Sequence, residues 1–179
     1  MMNNQQSQQN RPSAGGFRGG NRPSSRGPRS NAPMAPKREL DEKTLDLRRV
    51  TRVVKGGKRF SFRCTLIVGN KKGLVGVGVA KGIDVAQAID KARHDAMKQT
   101  FAIKLHQTSI AHEVEAKFSA ARVLIKPGKK GSGLKAGGAV RSVLLMAGIQ
   151  DASAKCLGRT KNKLTNALAT LEALKKLTA

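Results

Sequence analysis

The stretch Val50-Thr-Arg-Val-Val-Lys-Gly-Gly-Lys-Arg-Phe-Ser-Phe-Arg-Cys-Thr-Leu-Ile-Val-Gly-Asn-Lys-Lys-Gly-Leu-Val-Gly-Val-Gly-Val-Ala80 decides the fold. Three runs rich in β-branched and aromatic residues, Val50–Val54, Phe60–Val68 and Leu74–Ala80, alternate with two glycine-bearing spacers. The spacers are Lys55-Gly-Gly-Lys58 and Gly69-Asn-Lys-Lys-Gly73. Such runs parted by short turn sequences predict two hairpins and a three-stranded antiparallel sheet. Gly76 and Gly78 weaken the third run unless another backbone approaches closely or a bulge forms there.

Outward from this sheet, Glu39–Arg48 carries acids at its start and an arginine at its end, which suits a short helix in its own dipole. Downstream, Asp84 is placed to cap a helix, with Gln87 three residues on as in a capping box. Val85, Ile89, Ala92, Ala96 and Phe101 recur at helical spacing. The first half therefore reads as helix, three-stranded sheet, helix over residues 39–106. The second half, 107–179, opens with strands near Ala111–Phe118 and Ala121–Lys126. It continues with a basic loop, Pro127-Gly-Lys-Lys-Gly-Ser-Gly133, a helix Gly137–Ala147 and a strand Ala152–Leu157. A last helix is capped by Thr160 or Asn162, presents Leu164, Leu168, Leu171 and Leu174 on one face, and ends on Lys175 and Lys176, which suit its C-terminal dipole.

Charge narrows the function. Lys and Arg total 35 against 11 Asp and Glu, a net charge of +24 over 179 residues. Self-repulsion at that density opposes compaction unless a polyanion neutralises it, and nucleic acid is the commonest such partner. Residues 1–38 are rich in Asn, Gln, Ser, Gly, Pro and Arg, hold seven of the cations and no acid, and lack the apolar surface to order themselves. They read as a disordered basic tail, either an RNA-binding arm or a solvated one. Removing the tail's seven leaves 28 basic and 11 acidic residues, so the folded part is itself basic. With no Trp or Tyr and only five Phe, its core must be aliphatic.

Three segments could carry that binding. Lys55, Gly56, Gly57, Lys58 and Arg59 form a cationic hairpin tip whose glycines admit phosphates, unless it is only a solvated turn. Lys71 and Lys72 repeat the pattern at the next tip. Lys126, Lys129, Lys130 and Lys135 surround free backbone amides ahead of a helix, a combination that binds anions. Phe60 and Phe62 point to one face of a strand, where they either stack on bases or, as the preferred reading, pack on the Asp84 helix.

Other chemistries find little here. Gly131-Ser-Gly-Leu-Lys-Ala136 matches a dinucleotide fingerprint, but Asp151 precedes its strand where the ribose-binding acid should end one. Leu134 stands where a Walker lysine would follow Gly133. His94, His106 and His112 have no nucleophile at hand and read as solvent-facing. Cys64 and Cys156 lack metal-ligand spacing and read as reduced structural thiols. No enzyme, cofactor or metal is expected. The N-terminus is polar from Asn3, and the longest apolar run, Val143–Ile149, is too short to cross a bilayer, so no membrane partner is expected and the chain reads as cytosolic.

Three stretches, Arg49–Phe62, Val68–Gly82 and Gly131–Leu144, resemble the bacterial small-subunit ribosomal protein of the fifth family in order and glycine spacing. The resemblance covers residues 45–176. It implies an α+β fold: a double-stranded-RNA-binding-like domain over 39–106 and a small α/β domain over 107–179, with a βαβ crossover of left-handed sense. It implies a structural constituent of the small ribosomal subunit that binds small-subunit ribosomal RNA and supports assembly and translational accuracy. The alternative is a free-standing double-stranded-RNA-binding protein or RNA chaperone. The Lys55–Lys58 loop would lie near the head–body junction, where an aminocyclitol antibiotic acts. Arg49 would approach the channel by which messenger RNA enters. Arg52, Arg159, Lys161 and Lys163 complete the expected RNA-binding set. Gly133 and Arg141 match positions facing ribosomal protein four, and ribosomal protein eight would be the other neighbour. Two features depart from the family pattern: the long tail, and Asn162-Lys163 where the family usually has Asn-Pro. Nor does the sequence run on past the last helix, as it does in many members.

Overall fold

The computed structural model describes Leu40–Leu177, so the reading of the tail lies outside the described residues. Its spine is β2 (Gly57–Gly69), which pairs antiparallel with β1 (Asp41–Val54) on one side and β3 (Leu74–Gly82) on the other. The two-residue β4 (Phe101–Ala102) adds a fourth, very short strand beyond β3. Phe101 thus belongs to this edge and not to the preceding helix.

The short helix expected over Glu39–Arg48 does not form; Asp41–Val54 is one continuous strand. Every residue of it except Leu45 has a partner on β2, and the register shifts between Thr44 and Asp46. An isolated helix of ten residues is marginal, whereas β2 offers a full backbone ladder. The bulge also breaks the period-two pattern. It turns Leu45 toward the larger core, while Leu40 packs on the smaller one.

On one face of this sheet lies α1 (Val85–Lys98), with Ala88, Ala92 and Ala96 buried against Cys64, Leu66 and Val68. The contact is close because β3 presents only Gly76, Gly78, Ala80 and Gly82 there. A Cβ on Gly76 would come within 2.5 Å of the Ala96 carbonyl oxygen, one on Gly82 within 2.6 Å of the Ala88 nitrogen, and one on Gly78 nearer still to Ala92 and Ala96. The two glycines read from the sequence therefore mark a close approach, with a glycine row on the strand facing an alanine row on the helix. Asp84 caps α1 as expected, accepting from the Val85 amide at 2.7 Å. Gln87 reaches back to the Ile83 amide at 3.1 Å, one residue short of the capping-box partner.

The second sheet runs β5-β6-β8-β7. It comprises β5 (Val114–Phe118), β6 (Ala121–Pro127), β7 (Leu134–Lys135) and β8 (Ala152–Cys156). Between the parallel β7 and β8 runs α2 (Gly138–Ala147), which makes the βαβ crossover unit. The last helix, α3 (Lys163–Lys176), packs across β5 and β6 and against α2. Asn162 is its cap, accepting from the Leu164 amide at 3.1 Å, while Thr160 accepts from the Asn162 amide at 3.2 Å.

The larger core joins both halves of the chain: Ile67, Val75 and Val77 sit with Val123, Ile125, Val143, Leu144 and Leu174. It is aliphatic, as the composition requires. Each such side chain, fully buried, contributes about 1.5–3 kcal/mol. β2 is thus covered on both faces from Cys64 to Gly69, which explains why that run is buried without alternation. Cys64 is buried and Cys156 half-buried; both are free thiols, and burial pushes both upward and disfavours the reactive thiolate.

Candidate nucleic-acid interface

The sheet does not end where its cover ends. Pairing of β2 with β3 stops at Phe62 and Gly82, but β1 and β2 run on together to Val54 and Gly57. The two-residue turn Lys55-Gly56 closes this ribbon. From Leu47 to Arg63 it holds seven cations and no acid. Arg49, Arg52, Lys55, Lys58 and Arg59 are all exposed on it, with Gly56 and Gly57 at the turn. A two-stranded ribbon is marginal alone, and repulsion among its cations adds to that. A polyanion along it relieves both.

The Phe pair divides. Phe62 packs on the α1 core, whereas Phe60 is 48% exposed, and the Arg49 guanidinium sits 4.6 Å from the centre of its ring. The core role expected for both is met by Phe62 alone.

Lys71 and Lys72 lie at the other end of β2. At about 3.3 Å per residue, its 13 residues hold the two tips about 40 Å apart. Lys72 is exposed, but Lys71 is built into the fold: its amide donates to the Met146 carbonyl at 3.0 Å and its Nζ pairs with Asp41 at 2.6 Å. The structure does not bring the two tips together.

The loop after β6 carries a third group. Lys129, Lys130 and Lys135 are exposed, and Lys126 pairs with Glu113 at 3.2 Å. Gly131 and Gly133 adopt positive φ of 83° and 71°, which shapes the loop. Asp151 holds it. The carboxylate accepts from the Gly133 amide at 2.9 Å and the Thr108 hydroxyl at 2.8 Å, and its own carbonyl accepts from Ser109 Oγ at 2.6 Å. The Gly133 amide first, then the Thr108 hydroxyl, keep the Asp151 carboxyl below its ordinary range. The acid at dinucleotide spacing is therefore engaged by the very loop that would have cradled the phosphates. Thr108 is 43 residues away, and nothing in the sequence marks the pair.

A fourth group lines a groove of about 460 Å³ between β1, α2 and α3, with Lys43, Lys161 and Lys163 on its walls. Lys163 Nζ donates to the Leu45 carbonyl at 3.3 Å and pairs with Asp46 at 3.2 Å. The extra cation at the start of α3 thus ties that helix to β1, and the start of the helix is intact. The expected helix over Glu39–Arg48 hides Lys43 from a reading of the sequence. Arg159 is exposed beside this groove's Lys161 in sequence, and Arg141 is exposed on α2. His94, His106 and His112 are exposed, as expected.

Two family models match the chain: ribosomal protein S5, N-terminal domain, over residues 40–104, and ribosomal protein S5, C-terminal domain, over 116–179. The chain belongs to the ribosomal protein S5 family. It is 50% identical over 137 residues to the small ribosomal subunit protein uS5c of Cyanidium caldarium, covering 76% of this chain and 81% of that one. It is 47% identical over 139 residues to uS5 of Campylobacter jejuni strain 81-176, covering 78% and 94%. The uS5c of Cyanidioschyzon merolae is 51% identical over 142 residues, covering 79% and 92%. S5 is a structural, non-enzymatic family, in agreement with the sequence reading. The matched regions hold the ribbon, both hairpin tips, the glycine loop and the α3 start; the tail lies outside both. Among the described residues no helix is long and apolar enough to cross a membrane.

Proposed function

We propose that this S5-family chain is a structural constituent of the small ribosomal subunit that holds folded ribosomal RNA through its β1–β2 ribbon. The observation that carries the reading is the ribbon itself: seven cations and no acid from Leu47 to Arg63, and no third strand beside β2 before Phe62. Lys55, Lys58, Arg52 and Arg59 neutralise phosphates, and Gly56 and Gly57 let the backbone come close. Lys72, the cations of the glycine loop, and Arg159, Lys161 and Lys163 extend the contact at separate places. Specificity comes from RNA shape, because A-form helices hide their base edges. Arg49 faces messenger RNA near its channel, and the Gly133 loop with Arg141 faces ribosomal protein four, with protein eight as the other neighbour. These contacts support assembly and accuracy.

Sedimentation of a cell lysate on a sucrose gradient tests this, with the chain tracked by mass spectrometry. Stoichiometric presence in small-subunit and whole-ribosome fractions, surviving moderate salt, is expected. Recovery only in light fractions overturns it in favour of a free RNA-binding protein.

A further inference from the structure

Phe60 and Phe62 lie on one face of β2, two residues apart, in opposite circumstances. Phe62 is covered by the α1 core; Phe60 is 48% exposed on the projecting ribbon. Arg49 holds its guanidinium 4.6 Å from the Phe60 ring centre. Val53, 73% exposed, shares this face, because Thr51 opposes Phe60 and Val53 opposes Lys58. We infer that Phe60, with Arg49 and Val53, is a stacking platform for an unpaired nucleobase. The inference rests on the RNA reading above and adds to it the kind of RNA element recognised.

The chemistry favours a base over an apolar protein surface. The ribbon around the platform is cationic without one acid, so whatever covers the ring must bring negative charge alongside a flat apolar face. A nucleotide offers both. Stacked bases in a duplex do not expose their faces, whereas bulged or looped bases stack on aromatic rings and guanidinium planes. Arg49 lies over one face of the ring by cation–π attraction, so a base stacks on the guanidinium plane or on the ring's other face. The same groups on a buried strand would be core packing, and exposure is what separates the two cases.

The chain has no Trp or Tyr, so Phe60→Trp gives a sole indole at the platform. The full chain carrying it is titrated with a transcript of small-subunit ribosomal RNA, beside Phe60→Leu, Lys55→Glu/Lys58→Glu and the unaltered chain. Stacking is expected to quench the indole's fluorescence and shield it from acrylamide. Phe60→Leu should bind about five-fold to a hundred-fold more weakly, the effect of losing one base–aromatic stack, with the salt slope unchanged. The glutamate variant should flatten the salt slope. If the indole stays bright and Phe60→Leu binds normally while the glutamate variant fails, the RNA reading stands and the platform does not. If the indole is shielded only in the assembled subunit, a protein covers it and the inference falls. If the unaltered chain shows no salt-dependent binding, both readings fall together.

Discussion

One strand, β2, passes through two environments. From Cys64 to Gly69 it is closed in, with α1 on one face and the larger core on the other. From Gly57 to Arg63 it is largely bare, paired only with β1 until Phe62. The inner part carries small and aliphatic residues and the outer part carries cations. The difference shows how one hairpin can serve stability and recognition without conflict. Burial at one end supplies the free energy that keeps an unfavourable cluster of charge at the other.

The comparison is easiest to break at the glycine row. Gly78→Val drives a branched side chain into the α1 backbone and should cost about 3 kcal/mol or more in chemical denaturation; a value under ~1 kcal/mol would show that the helix can move aside. Next comes the phenylalanine pair. Phe62→Ala should cost about 2–3 kcal/mol because it opens the α1 core, and Phe60→Ala about 0.5 kcal/mol or less. Equal losses would abolish the distinction between the two ends. Replacing Asp151 with Ala should have a smaller, local effect, raising hydrogen exchange of the Gly133 amide several-fold as its acceptor is lost. The Asp151 carboxyl titrates lower in the folded chain than in the unfolded one. Its contribution is therefore present above the ordinary carboxylate range and lost as pH falls through the depressed folded value. The stability gap between the unaltered chain and Asp151→Asn should begin to narrow below about pH 4 and close only below the depressed folded value; a gap that stayed constant on acidification would count against the clamp. Smallest for the fold is Lys55→Glu with Lys58→Glu, expected to leave the melting temperature unchanged while impairing subunit assembly or decoding. Normal assembly and accuracy would remove the ribbon from the RNA interface.

Much of this is legible in the sequence because it is local. The two hairpins, α1 with its Asp84 cap, α2, β8 and α3 follow from runs, turns and caps a few residues long. Glu39–Arg48 misleads for a physical reason. Its charges suit a helix, the bulge at Leu45 hides the strand period, and the ladder that decides the matter lies on β2. The two-residue strands β4 and β7 leave no periodic trace. For the site, each cationic segment can be read, but not which of them meet. Lys71 and Lys55 look alike in sequence, and only the length of β2 separates them. The grip of Asp151 on Thr108 and Gly133 joins segments that have no reason to be compared until the chain is folded. Phe60 and Phe62 differ only in where the cover of α1 begins.

The span of β2 also sets the scale of what the molecule can measure. With its turns about 40 Å apart on a strand of 13 residues, Lys55 and Lys72 cannot touch one nucleotide, or one small ligand, together. A partner that engages both must be a body of comparable breadth whose own parts are already in place. The strand is in effect a ruler: it fixes the spacing between the two tips that any such partner has to match.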